Sequence, residues 1–188
     1  PAEASTRLRD AALEAALRLP VPSDGPLAGK RVRVSLDGGR VRTRRTHRGR
    51  KTAKGRHGFS TPWREPRVLV IDVLDTQGQP DRLCLPLYDV LIDDAEAVWA
   101  LLIGYLRLLG AAHAEVVECI ADGAEWIWNL ATDLFPDAVQ LVDWYHATEY
   151  LAHAAEALFP AEPAAAQRWQ PERRKPLFLG ETHKIIDP

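Results

Sequence analysis

From Lys30 to Asp37 the apolar residues Val32, Val34 and Leu36 interleave with Arg31, Arg33 and Ser35, the period-two pattern of a strand with one buried face. Gly38-Gly39 is a turn signal, and residues 40–46 are expected to return as a second strand, making a hairpin with a basic outer face. Residues 67–74 (Arg-Val-Leu-Val-Ile-Asp-Val-Leu) are the most strongly β-prone in the chain and run into a Gln77-Gly78-Gln79-Pro80 turn. A further edge strand is expected over 82–88, although Pro86 weakens it.

Helical spacing governs the segments on either side. Residues 4–19 read as a helix with Leu8, Ala12, Leu13, Ala16 and Leu17 on one stripe and Pro20 ending it. Residues 21–29, rich in Pro, Gly, Ser and Asp, read as a linker. Asp93 or Asp94 is expected to cap a long helix that runs through Leu109 and stops at Gly110. The pattern then alternates: strand over 115–121, helix over 124–134, strand over 138–142, helix over 144–158. Strands first and helix-linked strands afterwards predict an α/β protein, an antiparallel hairpin region feeding a parallel βαβ region in a mixed sheet covered by helices.

That order is the one found in the ribonuclease-H-like fold. Its first strand lies mid-sheet, and the strand after the first long helix runs parallel beside it. Three stretches follow: an N-terminal helix and linker over 1–29, a partial ribonuclease-H-like core over 30–169, and an irregular tail over 170–188. In the tail the helical periodicity breaks off at Gln170, as in a frameshifted reading frame.

Composition narrows the picture. At 188 residues with 46% hydrophobic content, the chain suffices for one well-cored domain with a short extension. Cys84 and Cys119 sit in apolar, strand-like runs without a partner at metal spacing, and read as buried thiols in a reducing compartment. No apolar run approaches the roughly 18 residues of a membrane span, so a cytoplasmic location is expected. The chain opens on Pro1 and contains no Met, which reads as a piece of something longer.

The net charge of −2 conceals a segregation. Between Lys30 and Arg67 stand fourteen Lys or Arg against two acids, Asp37 and Glu65, a footprint of polyanion contact. Residues 46–57 at its centre are expected to be disordered in the free state. Candidate DNA-binding residues are Arg40, Arg42, Arg44, Arg45, Arg48, Arg50, Lys51, Lys54 and Arg56.

Two aspartates stand at strand ends, Asp37 before Gly38-Gly39 and Asp122 before Gly123. Asp-Gly alone is a common turn dipeptide. If the two strands are parallel neighbours, however, both carboxylates lie at the carboxyl edge of the sheet, where open α/β sheets bind ligands. Like charges at close range repel unless a cation neutralises them. The expected cofactor is therefore Mg²⁺ or Mn²⁺, held by Asp37 and Asp122, the candidate catalytic and metal residues.

Residues 121–129 (Ala-Asp-Gly-Ala-Glu-Trp-Ile-Trp-Asn), with Leu134-Phe135-Pro136 and residues 141–147 (Leu-Val-Asp-Trp-Tyr-His-Ala), resemble the core of bacterial insertion-sequence transposases of the ISKra type, DDE recombinases distantly similar to the Mutator group. Residues 34–40 and 63–67 resemble the opening strands of the same family, so the likeness spans about 30 to 169. The resemblance implies DNA transposition: two aspartates and a glutamate hold Mg²⁺ while transposon ends are cleaved and joined to target DNA, with oligomerisation of the full-length protein and no membrane partner. It makes Asp37 the first acid and Asp122 the second. Asp143 and His146 resemble the family's Asp/Cys-x-x-His element, and an N-cap is the alternative role for Asp143. The third acid is expected on a helix beyond this chain; Glu149 and Glu156 do not match its pattern, and little or no transposition is expected of this chain alone.

Trp99, Trp126 and Trp128 read first as space-fillers between helix and sheet, with Trp126 a candidate lining of a DNA cleft. His113 and His153 read as surface or capping residues. Two alternatives stand beside the recombinase: a non-catalytic DNA-binding remnant of the same fold, and an actin-like or sugar-kinase ATPase holding phosphates at Asp37-Gly38-Gly39. No threonine stands beside those glycines, and that class needs a much longer chain.

Overall fold

The computed structural model describes residues 2–92 and 95–186. Its centre is a five-stranded mixed sheet in the order β7-β6-β1-β8-β9, formed by β1 (Arg31–Gly38), β6 (Arg67–Leu74), β7 (Leu87–Leu91), β8 (Val116–Ala121) and β9 (Val139–Val142). β1 pairs antiparallel with β6 and parallel with β8; β6 pairs antiparallel with β7, and β8 parallel with β9. An α/β protein with its first strand mid-sheet was expected, and this is the arrangement observed.

The alternation read in β1 is the reason for its place. Val32, Val34 and Leu36 are buried on one face, Val32 completely. They meet Leu69 and Ile71 of β6, Val117 and Cys119 of β8, and two helices, α2 (Ala95–Leu108) and α3 (Glu125–Leu134). Val98, Leu102 and Leu106 of α2 and Ile127 and Ala131 of α3 recur at helical spacing and close this core. The opposite face is more open, with Val68, Tyr88, Val90 and Leu141 exposed. Near its carboxyl edge stands the first turn of α4 (Trp144–Leu158).

Four short strands, β2 (Val41–Arg42), β3 (Arg45–Thr46), β4 (Phe59–Ser60) and β5 (Trp63–Arg64), replace the hairpin expected at Gly38-Gly39. The chain makes no turn there. Pairing runs in one unbroken register from Arg31 opposite Leu74, through Gly38 opposite Arg67 and Arg42 opposite Trp63, to Thr46 opposite Phe59. Bonds from Gly39 N–H to Pro66 C=O (3.0 Å), Thr43 N–H to Pro62 C=O (3.0 Å) and His47 N–H to Gly58 C=O (2.8 Å) fill the gaps. The β1–β6 pair is thus one long ribbon projecting roughly 30 Å past the sheet, at about 3.3 Å per residue over 39–47. Pro62 and Pro66 lack N–H donors, which breaks the ladder into two-residue pieces. At the tip Thr52 N–H donates to Arg56 C=O at 2.8 Å.

Other expectations shift in place. The edge strand expected over 82–88 forms instead at Leu87–Leu91, because Pro86 can give no ladder hydrogen bond and Asp81 gathers Leu83 N–H and Cys84 N–H into a turn. Cys84 therefore lies in that turn, half-buried, while Cys119 is buried in β8 as expected. The capping role of Asp93 or Asp94 lies outside the described residues. The tail expected to be irregular is helical as far as Phe178, in α5 (Pro163–Phe178), despite Pro171 and Pro176 within it. Packing on α4 overrides the poor propensity: Trp144 meets Phe178 edge-on at 5.7 Å, and Gln170 Nε2 donates to Thr148 C=O at 3.4 Å. A last short helix is α6 (His183–Ile186). Among the described residues no helix is long and apolar enough to cross a membrane.

The N-terminal helix α1 (Ala2–Arg18) buries only part of the stripe expected of it. Leu13 and Ala16 are buried while Leu8 and Leu17 are exposed, because α1 docks on α2 where Gly104 lets Leu13 approach; a Cβ there would lie 3.0 Å from Leu13 Cβ. Arg107 donates to the carbonyls of Ala16 and Leu19, satisfying the end of α1. The expected linker over 21–29 packs too: Leu27 is buried and its N–H donates to Leu109 C=O. Arg9 reaches across to both carboxylate oxygens of Asp89 (3.1 and 3.0 Å), and the Tyr105 hydroxyl donates to Asp89 Oδ2 at 2.7 Å. Burial, then the Asp89 bond, push the Tyr105 hydroxyl up to about 12.

Asp89 thus joins α1, β7 and α2 in a partly buried network. Asp89→Ala removes the acceptor of the Tyr105 hydroxyl and leaves Arg9 only its pair with Asp10, and is expected to lower unfolding free energy by about 1–3 kcal/mol in urea denaturation. Glu14→Ala, which removes an exposed i,i+4 pair with Arg18, is expected to change it by less than about 0.5 kcal/mol. Equal effects would show that the network carries no weight.

Candidate functional site

Asp37 and Asp122 come together as expected, through the parallel pairing of β1 with β8. The last paired residues are Ser35 and Ile120, and two positions further along each chain stand Asp37 and Asp122. Neighbouring strands lie about 4.8 Å apart. Both aspartates line one cleft of about 230 Å³, with Gly38, Arg40, Glu65, Arg67, Trp126 and Ile127 on its walls. Trp126 is 36% exposed and stacks edge-on against Trp99 at 5.7 Å, so it belongs to the cleft wall more than to the core.

The two carboxylates are held differently. Asp122 Oδ1 accepts the N–H of Ala124 at 2.8 Å, an Asx turn that starts α3. Gly123 follows with φ 92°, and a Cβ there would meet the Tyr150 hydroxyl at 3.0 Å. That hydroxyl donates to the Asp122 carbonyl at 3.2 Å. α4 therefore braces the loop carrying Asp122, a role for Tyr150 that no spacing in the sequence signals. The Asp37 side chain is exposed and engages no hydrogen bond or ion pair among the described residues.

A third aspartate ends the next parallel strand. Asp143 N–H donates to Ala121 C=O at 3.0 Å, and its side chain caps α4, accepting from Tyr145 N–H at 2.9 Å and His146 N–H at 3.1 Å. The N-cap role is thus realised. Asp143 Oδ2 also pairs with His146 Nδ1 at 2.5 Å. With Asp37, Ser35, Ile120 and Tyr145, this pair lines a second cleft that adjoins the first through Asp37. Among the described residues no three His, Cys, Asp or Glu are grouped closely enough to hold a metal ion. Glu149, Glu156, His113 and His153 are exposed.

The electrostatics link these groups. The Asp143 hydrogen bond raises His146 above its ordinary value; burial opposes this, and the charges of Asp143, Asp122 and Asp37 add to the rise. Burial works to raise Asp143, but the ring and backbone N–H of His146, its charge and the Tyr145 N–H outweigh it and carry the carboxyl below its usual range.

The basic residues are displayed along the projecting ribbon, which leaves the sheet at the edge where the aspartates stand. Arg40, Arg42, Arg44, Arg45, Arg48, Arg50, Lys51, Lys54 and Arg56 are all exposed. Arg40 reaches the cleft and pairs with Glu65 at 3.4 Å. Arg40 and Arg42 lie over the Trp63 ring at 5.6 and 4.8 Å, and Arg44 over Phe59 at 4.0 Å. Trp63 and Phe59 are functional candidates that reading the chain by segments missed, since they join the arginines only once the two strands are in register.

No protein-family model matches the chain, and no curated protein matches it. Any functional reading rests on the geometry above and on the resemblance of its motifs.

The Asp143–His146 pair has a defined pH signature. Folded His146 binds its proton more tightly than the unfolded side chain, so its contribution is complete below about pH 6.5 and fades as pH rises through the folded midpoint. Depressed Asp143 contributes above about pH 3.9 and loses this as pH falls through its own folded midpoint. An NMR titration is expected to place His146 above about 6.5, and Asp143→Asn to lower that midpoint. A midpoint unmoved by the substitution would remove the pair from the account.

Proposed function

We propose that the chain is part of the catalytic core of a DDE transposase with a ribonuclease-H-like fold, acting on DNA in insertion-sequence transposition. The observation that carries this reading is the convergence of Asp37 and Asp122, remote in sequence, on one cleft at the carboxyl edge of parallel strands, with a basic ribbon rising from that edge. The sheet order and the parallel β1–β8 pair support the ribonuclease-H-like assignment.

The residues suit Mg²⁺ or Mn²⁺. Asp37 is a hard-oxygen donor without another partner, and Asp122 has one oxygen engaged in its turn and a second to offer. Mg²⁺ is commonly held by one or two carboxylates, with water and substrate phosphate completing its shell, so a pair suffices for weak binding where a trio is absent. When bound, the ion would supply activation of an attacking oxygen and stabilisation of the departing one in an in-line phosphoryl displacement. The chain's own part is to aim the two carboxylates from rigid strand ends, to brace Asp122 through Tyr150, and to draw phosphates in along the ribbon. With two acids, little or no transposition is expected from this polypeptide alone.

A non-catalytic DNA-binding remnant shares the ribbon and differs only in the acids. The ATPase alternative loses its basis, because the tight phosphate-holding turn it needs at Gly38-Gly39 is absent from the continuous ribbon.

Mn²⁺ binding followed by calorimetry or water-proton relaxation tests the proposal. Wild type is expected to bind weakly, and Asp37→Asn and Asp122→Asn each to weaken binding by about tenfold or more. Any Mn²⁺-dependent nicking of supercoiled plasmid should vanish in the same variants. Mn²⁺ affinity indifferent to both substitutions would sink the recombinase reading and leave the DNA-binding remnant.

A further inference from the structure

The unbroken register of the ribbon sorts its side chains onto two faces. Arg40, Arg42 and Arg44 alternate along one strand, and Glu65, Trp63 and Phe59 along the other, on the same face by the pairing of Arg42 with Trp63 and Thr46 with Phe59. The contacts agree: Arg40 on Glu65 and Trp63, Arg42 on Trp63, Arg44 on Phe59. Trp63 is 52% and Phe59 50% exposed, although large aromatic rings are ordinarily covered. This face begins at the acidic cleft, whose wall includes Arg40 and Glu65.

We infer that this face is a track for single-stranded DNA, with Trp63 and Phe59 stacking on unpaired bases and Arg40, Arg42 and Arg44 meeting successive phosphates, leading the strand to Asp37 and Asp122. The inference deepens the recombinase reading and rests on it for the direction of the track. Its physical basis is separate. Guanidinium groups two residues apart on one strand recur at about 6.6 Å, a spacing comparable to that of phosphates along an extended single strand. An arginine over an aromatic ring orients the guanidinium and the ring together, and aromatic platforms within a cationic groove are the general means of holding single strands without sequence preference. In a duplex the base faces are stacked on each other and cannot reach a ring, so there the ribbon can offer phosphate contacts alone. Glu65, the single acid among residues 40–66, is drawn to Arg40 at the base of the track and leaves Arg42 and Arg44 to the ligand.

Fluorescence anisotropy with labelled oligo-dT and a duplex of the same length, in EDTA, tests this directly. Trp63→Ala and Phe59→Ala are each expected to weaken oligo-dT binding about fivefold or more, with duplex affinity within about twofold of wild type. Trp63→Phe should recover most of the loss, because it keeps a ring to stack. The salt dependence should be unchanged in Trp63→Ala and shallower in Arg42→Ala, since only the latter loses a phosphate contact. Trp63 lies outside the core, and unchanged circular dichroism would confirm that the variant is folded. Equal weakening on both DNAs, or none on either, overturns the inference. Because EDTA removes metal, this result is independent of the Mn²⁺ experiment, and either proposal can fail while the other stands.

Discussion

Everything in this molecule hangs on β1 being hydrogen-bonded along both edges, antiparallel to β6 and parallel to β8. A strand paired on both sides needs an apolar row that can be fully dried, and Val32, Val34 and Leu36 supply it against Leu69, Val117 and the inner faces of α2 and α3. The parallel partner brings the chain of β8 out at the same edge as β1, which sets Asp122 beside Asp37. The antiparallel partner carries the ribbon away from that edge without a change of register. One strand thus sets the positions of both the acids and the cations.

The opposed charges at this edge have complementary consequences. Clustered carboxylates repel a phosphate, and their charges add to the Asp143 hydrogen bond in raising His146. The ribbon reverses the sign a short distance away, with ten Lys or Arg against Glu65 over residues 40–66. On the proposed function, a polyanion is drawn first to the ribbon and meets Arg40 and Arg67 together with the carboxylates in the cleft wall. This is the physical reason for reading the cleft and the ribbon as one apparatus. It also explains why the near-neutral net charge says little about partners.

Segments whose identity depends on local pattern were legible in the chain. The alternation of β1, the β-branched run of β6, the strand and helix succession after residue 115 and the N-cap at Asp143 follow from periods of two and 3.6 and from a side chain bonding the backbone two and three residues on. Readings that failed were those in which a distant neighbour outweighs local preference. Gly38-Gly39 looks like a turn, yet the pairing with β6 carries the chain straight through. Leu8 and Leu17 look like core beside Leu13, yet the approach of α1 to α2 at Gly104 buries Leu13 and leaves the other two exposed. Pro171 and Pro176 look like a break, yet α4 holds the helix through them.

The sequence by itself determined most of the central strands and the helices α1 to α4, that Asp37 and Asp122 end two of those strands, and that positive charge is concentrated between them, because each of these depends on neighbours a few residues away. Only the tertiary structure decided that the two aspartates share a cleft, that Tyr150 braces one of them, and that Trp63 and Phe59 stand among the arginines. Those relations arise from pairing register and from packing between remote segments. Neither leaves a trace in local periodicity, since the energy that selects them is shared across elements that meet only when the chain is folded.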